Sequence, residues 1–303
     1  MIDLYRASEY ARLHQGKTMV FKVGGACLAK SSSLRSIARQ LSVVAAFGVR
    51  PVVVHGGGPQ TAELQELLGE TPRQVDGRRV TSEVGLRALR LATMGELNTA
   101  LAARLTAEGA PAVGVGCASA GIVEARRRPP METSEGRVDF GLVGDVQVVR
   151  PAALVALAEA GFVPVLGPPA ADGEGGFLNV NADSLAAEVA VALEADKLVL
   201  LSDTPGILRD PADRHSVLSA LSLMELEELA SGGSLRGGMS VKAAAIRRAL
   251  EGGVERVHVV NGLSPEALLG ELYTTQGTGT LVTLEPLSAP SGPAVLVDLP
   301  SPS

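Results

Sequence analysis

Short apolar runs alternate with longer stretches of helical periodicity along most of this chain. Runs of about five residues, rich in β-branched side chains, indicate buried parallel strands at 19–23, 51–55, 112–115, 163–167, 197–201 and 256–260. Apolar positions at helical spacing predict helices over 34–47, 60–68, 82–108, 151–160, 182–193, 222–230 and 240–251. The alternation predicts right-handed βαβ crossovers, and therefore an α/β fold with a mainly parallel sheet.

Two segments depart from this alternation. In PRQVDGRRVT, residues 72–81, Asp76 and Gly77 lie between short β-prone flanks, which predicts a hairpin with a two-residue turn. A hairpin that interrupts βαβ order often covers a site. Residues 286–303 are rich in Pro and Ser and are predicted to form a tail outside the fold.

Composition and charge narrow the class of protein. Hydrophobic residues make up 46% of the 303 residues and aromatic residues only 3%, so Val, Leu, Ile and Ala must form the core. The net charge of -6 argues against a nucleic-acid partner, and the densest basic run, Arg126–Arg128, is predicted to be a solvated loop. No apolar run approaches the roughly 18 residues of a membrane span. Cys27 and Cys117 make no disulfide or metal pattern, so we expect a soluble, cytoplasmic protein without a signal peptide.

Two of the predicted strands end in glycines. TMVFKVGG (18–25) and PVVVHGGGP (51–59) place glycine where backbone can approach a ligand closely, and Lys22 precedes the first pair. The chain contains only five lysines against 22 arginines, so a lysine at this strand end suggests a need for a compact ammonium group. His55 is predicted to be structural, as a histidine that is hydrogen-bonded at the end of a strand.

Three further polar clusters follow predicted strands or open helices. NVNAD (179–183) offers paired amides and an acid at a helix start, LLSDTPGIL (200–208) is a strand with a Pro-Gly turn, and SLRGGMSVK (234–242) leads Lys242 into a helix. Each has a plain structural interpretation as a cap, a turn or an exposed lysine. Together, glycine turns, two lysines and an acid favour phosphoryl transfer, without the GxxxxGK[ST] loop or the HRD and DFG motifs.

The order of seven motifs resembles that of the amino acid kinase family over about residues 17–284. The motifs are FKVGG, HGGGP, DGRRVT, FGLVGDV, NVNAD, LLSDTPG and GGMSVK. The resemblance implies a three-layer αβα sandwich in a single domain, 17–285, in which 17–195 binds an acyl amino acid and 196–285 binds ATP. Residues 1–16 would form an N-terminal helix or extension. The implied reaction is transfer of the ATP γ-phosphate to the side-chain carboxylate of N-acetyl-L-glutamate.

The resemblance also implies roles for individual residues. Lys22 and Lys242 would stabilise the transferred phosphoryl group, and Asp183 would hold the two lysines. The residues implied for the acyl amino acid are Gly57, Gly58, Arg79, Asn179 and Asn181. Those implied for ATP are Gly24, Gly25, Asp203, Thr204, Pro205, Gly206, Ile207, Leu208, Ser234, Leu235 and Arg236. Mg²⁺ is expected to be held mostly by the phosphates, because the sequence offers no carboxylate cage.

Some segments leave alternatives open. The segment GVGCASAG (114–121) stands where relatives have a Gly-Lys-Asp-Gly type of loop, and Glu266 stands where arginine-sensitive members have histidine, so arginine inhibition is undecided. The resemblance predicts a homodimer, and the helix-like stretch 3–15 leaves a hexamer open. Two other functions are a kinase for a related, carrier-linked amino acid such as aminoadipate, and a non-catalytic arginine-sensing domain.

Overall fold

A computed structural model describes residues 4–235 and 237–286. Its strands, in chain order, are β1 (Thr18–Val23), β2 (Arg50–His55), β3 (Arg73–Val75), β4 (Arg78–Val80), β5 (Ala112–Gly116), β6 (Val123–Arg127), β7 (Met131–Thr133), β8 (Gly136–Val138), β9 (Gly144–Val149), β10 (Val163–Gly167), β11 (Ala170–Ala171), β12 (Phe177–Leu178), β13 (Lys197–Ser202), β14 (Ala220–Ser222), β15 (Arg256–Asn261) and β16 (Thr280–Thr283). Its helices are α1 (Leu4–His14), α2 (Ser31–Ala46), α3 (Gly58–Leu67), α4 (Glu83–Arg90), α5 (Thr99–Ala107), α6 (Ala152–Glu159), α7 (Ala182–Ala192), α8 (Leu223–Ser231), α9 (Gly238–Glu251) and α10 (Ala267–Tyr273).

One sheet of eight strands organises the molecule, in the order β14-β16-β15-β13-β1-β2-β10-β5. All its neighbours pair in parallel except β15 and β16. The chain lays β2, β5 and β10 on one side of β1 and then returns to place β13 on the other side. This reversal makes the carboxyl ends of β1 and β13 the topological switch point, where open α/β sheets bind ligands.

Each face of the central sheet carries its own layer of helices, as expected for strands that are buried on both sides. In β1, Val20 contributes to a core built with α7, α8 and α9, whereas Phe21 contributes to one built with α2, α5 and α10. The alternation of side chains along a strand produces this division. The predicted three-layer αβα sandwich with a mainly parallel sheet is therefore confirmed.

The helix predicted over 82–108 has an unusual middle. It runs from Glu83 to Ala107 as α4, a π-helical segment at Leu91–Asn98, and α5. The sequence pattern does not distinguish a π-helical segment from an α-helix, because both bury one apolar side. The other predicted helices and the six predicted strands begin and end within three residues of their observed limits.

A second, four-stranded sheet in the order β12-β11-β6-β9 is absent from the prediction. Its strands are short or half-exposed, so they carry no continuous apolar run. The loop predicted at Arg126–Arg128 is wrong in part: Arg126 and Arg127 are exposed but belong to β6, and only 16% of the Arg128 side chain is exposed.

The remaining predictions concern the hairpin and the two ends of the chain. The hairpin at residues 72–81 is confirmed, with Asp76 and Gly77 as the turn between β3 and β4. The N-terminal helix exists as α1, and residues 1–3 lie outside the described part. The predicted tail also lies outside it from residue 287 onward. No helix within 4–235 or 237–286 is both long and apolar enough to cross a bilayer.

Candidate active site

Three buried ionic side chains meet at the carboxyl edge of the central sheet. The Asp183 Oδ1 atom lies 2.8 Å from Lys22 Nζ and 3.1 Å from Lys242 Nζ. The three residues are between 6% and 9% exposed. The structure thus brings together three residues that are up to 220 positions apart in the sequence, and one carboxylate oxygen links both lysines.

Three different elements position this triad. Lys22 is the penultimate residue of β1 and points to the same face as Val20, toward α7 and α9. Asp183 lies in the first turn of α7, where a carboxylate is favoured by the helix dipole. Lys242 lies near the start of α9, which packs along α7.

The electrostatics of the triad favour an anionic ligand. Burial alone would raise the pKa of Asp183, but the ammonium groups of Lys22 and Lys242 outweigh burial and lower this pKa to about 2. Burial lowers the pKa of Lys242, and Asp183 opposes that shift. The carboxylate is therefore ionised at neutral pH and neutralises only one of two ammonium groups. The remaining positive charge faces a cleft.

Glycine turns form the wall of this cleft. At Gly25, a Cβ atom would lie 3.0 Å from the Gly57 Cα and Gly58 N atoms, so the turns after β1 and β2 are in close contact. The Gly24 N–H group donates to the Leu201 carbonyl at 3.0 Å, which joins β1 to the end of β13. Helix α3 begins at Gly58, and Gly57, Gly58 and Pro59 line the cleft, so the start of this helix borders it.

The π-helical segment packs beneath the second glycine turn. A Cβ atom on Gly57 would lie 2.8 Å from both Thr93 Cγ2 and Leu97 Cδ1. Asn98 Nδ2 lies 3.1 Å from His55 Nε2, and His55 Nδ1 lies 3.0 Å from the Gly56 carbonyl. His55 is fully buried, as the structural interpretation requires. The segment therefore fixes the shape of the turn, a role that the sequence did not reveal.

The β3–β4 hairpin borders the opposite wall. Arg79 Nη1 donates to Gln65 Oε1 at 3.0 Å, and Arg79 Nη2 donates to the Gly58 carbonyl at 2.9 Å. At the hairpin tip, a Cβ atom on Gly77 would lie 3.3 Å from the Gly237 Cα atom at the head of α9. The hairpin thus reaches from the glycine turn on one side to α9 on the other.

The cleft enclosed by these elements has a volume of about 720 Å³. Asn179 lines it and donates from Nδ2 to Thr81 Oγ1 at 2.9 Å. Asn181 also lines it, but its Oδ1 atom caps α7 by accepting from the Asp183 and Ser184 N–H groups. Asn181 rather than Asp183 is therefore the cap of this helix. The volume suits a small amino-acid derivative.

Two arginines in the cleft wall were not among the predicted site residues. Arg78 lines the cleft beside Arg79, and Arg128 lines it while pairing with Asp145 through both carboxylate oxygens. Arg78 and Arg128 each lie next to another arginine in the sequence, and nothing in the sequence pattern marks either one as a residue of the cleft. The clustering depends on β6 crossing near the hairpin.

Of the residues predicted for ATP, 203–208 follow β13, which lies next to β1, and 234–236 precede α9. Ser202 Oγ lies 2.9 Å from Thr204 Oγ1, and the Ile207 N–H group donates to Thr280 Oγ1 at 2.8 Å. Asp203 is exposed, and Pro205 and Leu208 are half-buried. Gly206 and Leu235 are buried, Ser234 is half-buried, and Arg236 lies outside the described residues.

Within the described ranges, no group of three His, Cys, Asp or Glu side chains could hold a metal ion.

Comparison with known proteins gives consistent matches. The model of the amino acid kinase family matches residues 17–261. Acetylglutamate kinase from Myxococcus xanthus is 42% identical over 295 residues, which cover 95% of this chain and 96% of that protein. Acetylglutamate kinase from Carboxydothermus hydrogenoformans is 38% identical, and the match covers 92% of this chain and 96% of that protein.

A solved structure supports the same relationship. N-acetylglutamate synthase from Neisseria gonorrhoeae, complexed with coenzyme A and N-acetyl-glutamate, is similar with a TM-score of 0.81 and 29% identity. The match covers 93% of this chain but only 63% of the synthase chain. With its ordered motifs, its sandwich fold and relatives that match almost end to end, this chain belongs to the amino acid kinase family.

Proposed function

We propose that this protein catalyses ATP-dependent phosphorylation of the side-chain carboxylate of N-acetyl-L-glutamate, giving an acyl phosphate for arginine biosynthesis. One observation carries the proposal: a buried carboxylate holds two lysines, Lys22 and Lys242, at the edge of a cleft large enough for this substrate. The relatives that match nearly the whole chain are named acetylglutamate kinases.

The two lysines supply the charge that phosphoryl transfer requires. In the transition state, negative charge spreads over the oxygens of the transferred group, and the protein acts by positioning and neutralisation. An ammonium group about 4 Å from such an oxygen contributes roughly 4 kcal/mol at an effective dielectric constant near 20. Asp183 keeps both ammonium groups in place, and no general base is needed because the acceptor is already a carboxylate.

Other residues orient the acceptor. Gly57 and Gly58 line the cleft, and their N–H groups would bind the carboxylate under attack. Arg79 would bind the α-carboxylate with two parallel N–H donors, and Asn179 would bind the acylated amino group. Asn181 would support this end of the cleft chiefly by fixing the start of α7.

On the nucleotide side, residues 203–208 and 234–236, with Gly24 and Gly25, would contact ATP. Mg²⁺ fits this site as an ion carried by the phosphates. The described residues include no carboxylate cluster for it, and Mg²⁺ commonly binds through phosphates and water. The ion would neutralise phosphate charge.

Trapping of the acyl phosphate tests the proposal. With ATP, Mg²⁺ and N-acetyl-L-glutamate, hydroxylamine should give an acyl hydroxamate together with ADP. Lys22→Ala and Lys242→Ala should each lower kcat about 10³-fold while changing substrate affinity little. Lys17→Ala is the matched control, because Lys17 precedes the same strand but is exposed and paired with Asp196. Equal activity in all four proteins would defeat the mechanism.

Parallel measurements separate the alternatives. Faster turnover of an N-acylated aminoadipate than of N-acetyl-L-glutamate would favour the longer substrate. Calorimetry that detects binding of arginine but no binding of ATP would favour a non-catalytic arginine-sensing domain.

The oligomeric state stays a prediction, with a homodimer expected and a hexamer as the alternative. Light scattering of the purified protein would measure it.

A further inference from the structure

We propose that Gln65 and Glu70 are positioning residues that aim the Arg79 guanidinium into the cleft. The inference rests on the proposed function, since it concerns how the site holds the α-carboxylate of its substrate. Gln65 is 1% exposed and lies on α3, outside all the motifs that identify the family. Its side chain is nevertheless in direct contact with Arg79.

Both polar atoms of the Gln65 side chain are engaged. Its Oε1 atom accepts from Arg79 Nη1 at 3.0 Å, and its Nε2 atom donates to Glu70 Oε1. Glu70 Oε1 also accepts from Ser82 Oγ, and Ser82 caps α4 directly after β4. A continuous chain of hydrogen bonds therefore runs from the cap of α4 to the guanidinium.

This chain fixes which way the amide of Gln65 faces. An isolated glutamine could present either its oxygen or its nitrogen to Arg79. Because Glu70 accepts only, it holds the nitrogen on its own side and leaves the oxygen to face the guanidinium. Glu70 therefore reinforces the orientation in which Gln65 accepts from Arg79, whose guanidinium can only donate.

The second contact of Arg79 comes from the same helix. Arg79 Nη2 donates to the Gly58 carbonyl at 2.9 Å, and Gly58 and Gln65 lie seven residues apart on one side of α3. A guanidinium carries five N–H donors, and these two contacts occupy one on each terminal nitrogen. The described contacts leave the others for a carboxylate, while α3 restricts rotation of the side chain.

Substitution of Gln65 tests this role. Gln65→Met keeps the length and burial of the side chain but removes the acceptor. We expect it to raise KM for N-acetyl-L-glutamate about ten-fold, because a hydrogen bond to a charged group is lost. The KM for ATP should stay within about two-fold of wild type.

Gln40→Met is the matched control. Gln40 is 5% exposed on α2, and its Oε1 atom accepts from the Leu268 N–H group at 3.0 Å, away from the cleft. We expect lower stability from this change but unchanged KM values. A similar rise in KM for both variants would mean that loss of packing, and not of positioning, causes the effect, and would overturn the inference.

A double-mutant cycle distinguishes positioning from a general structural role. If Gln65 acts through Arg79, then Gln65→Met should change KM less than two-fold in an Arg79→Met background. A full ten-fold effect in that background would overturn the inference.

Crystal structures keep the test independent of turnover. Failure of the proposed function would appear as no hydroxamate from the wild type with any acyl amino acid. In that event, an Arg79 guanidinium that leaves the Gly58 carbonyl in Gln65→Met still supports the inference. A guanidinium that stays in place in a folded variant contradicts it.

Discussion

Two buried clusters of ionisable side chains lie at opposite ends of the same central sheet. At the carboxyl end, Asp183 contacts Lys22 and Lys242. At the amino end, Glu271 is 8% exposed and lies 2.7 Å from His258 Nδ1, and the buried Lys197 is close enough to interact with it electrostatically. Each cluster therefore has one carboxylate among nitrogen bases, but the surroundings of the two carboxylates differ.

The partners of each carboxylate explain the difference. Glu271 also accepts from the Thr278 and Gly279 N–H groups at 2.6 and 2.8 Å. Burial alone would raise the pKa of Glu271, but these bonds and His258 lower it. These three protein contacts join the loop at residues 278–279 to His258 on β15. Asp183 instead has two ammonium partners beside glycine turns, and positive charge is left for a ligand.

Asp183→Asn is the substitution with the largest expected effect on activity. An amide cannot neutralise two buried ammonium groups, so they should repel each other and move from their positions. We expect kcat to fall about 10³-fold in the hydroxamate assay. A kcat within ten-fold of wild type would show that Asp183 resembles Glu271 in being structural only.

Glu271→Gln is the same substitution at the amino end. The amide nitrogen would face N–H donors that now bind a carboxylate, so the free energy of unfolding should fall by about 3 kcal/mol. Urea unfolding measures this loss, and kcat should remain within about two-fold of wild type. Loss of turnover without loss of stability would contradict the division of roles.

Gly57→Ala tests whether the π-helical segment supports the glycine turn after β2. Its Cβ atom would lie 2.8 Å from Thr93 and Leu97, and we expect a loss of about 2 kcal/mol in unfolding free energy. Gly58→Ala is the matched control for stability, because its Cβ atom would meet nothing within 4 Å. Thermal unfolding compares them, and equal losses would argue against the π-helical segment as the support of the turn.

Lys197→Met should have the smallest effect and the opposite sign. Burial lowers the pKa of Lys197 to about 8 from 10.5, so a charged Lys197 destabilises the folded protein below pH 8. We expect the variant to be more stable by about 1 kcal/mol at pH 7. Between pH 8 and 10.5 the wild type gains stability as the folded state loses its proton first, so the difference should shrink. A difference that grows with pH in urea unfolding would contradict this.

Much of the fold could be predicted because the central strands consist mostly of apolar residues. Residues 19–23 and 197–201 predict buried strands without ambiguity, and the glycines after His55 mark a turn at the sheet edge. Strands β6 and β9 could not be predicted, because half of their side chains face solvent and the pattern is weak. The candidate site divides in the same way: Lys22, Asp183 and Lys242 lie in motifs, whereas Gln65 and Glu70 lie in none.

The sequence by itself determined the α/β class, the family and the order along the chain of the predicted central strands and the helices between them, because strand hydrophobicity and glycine spacing are local properties of the chain. The family resemblance implied that Asp183 holds both lysines, but only the tertiary structure brings the three side chains into contact, since Lys22 and Lys242 meet Asp183 after β1, α7 and α9 pack together. It also decided that one buried carboxylate contacts two lysines, whereas the other contacts a histidine and two backbone N–H groups. Pattern along the chain sets burial and secondary structure, but the pairing of distant charges depends on how the layers are stacked.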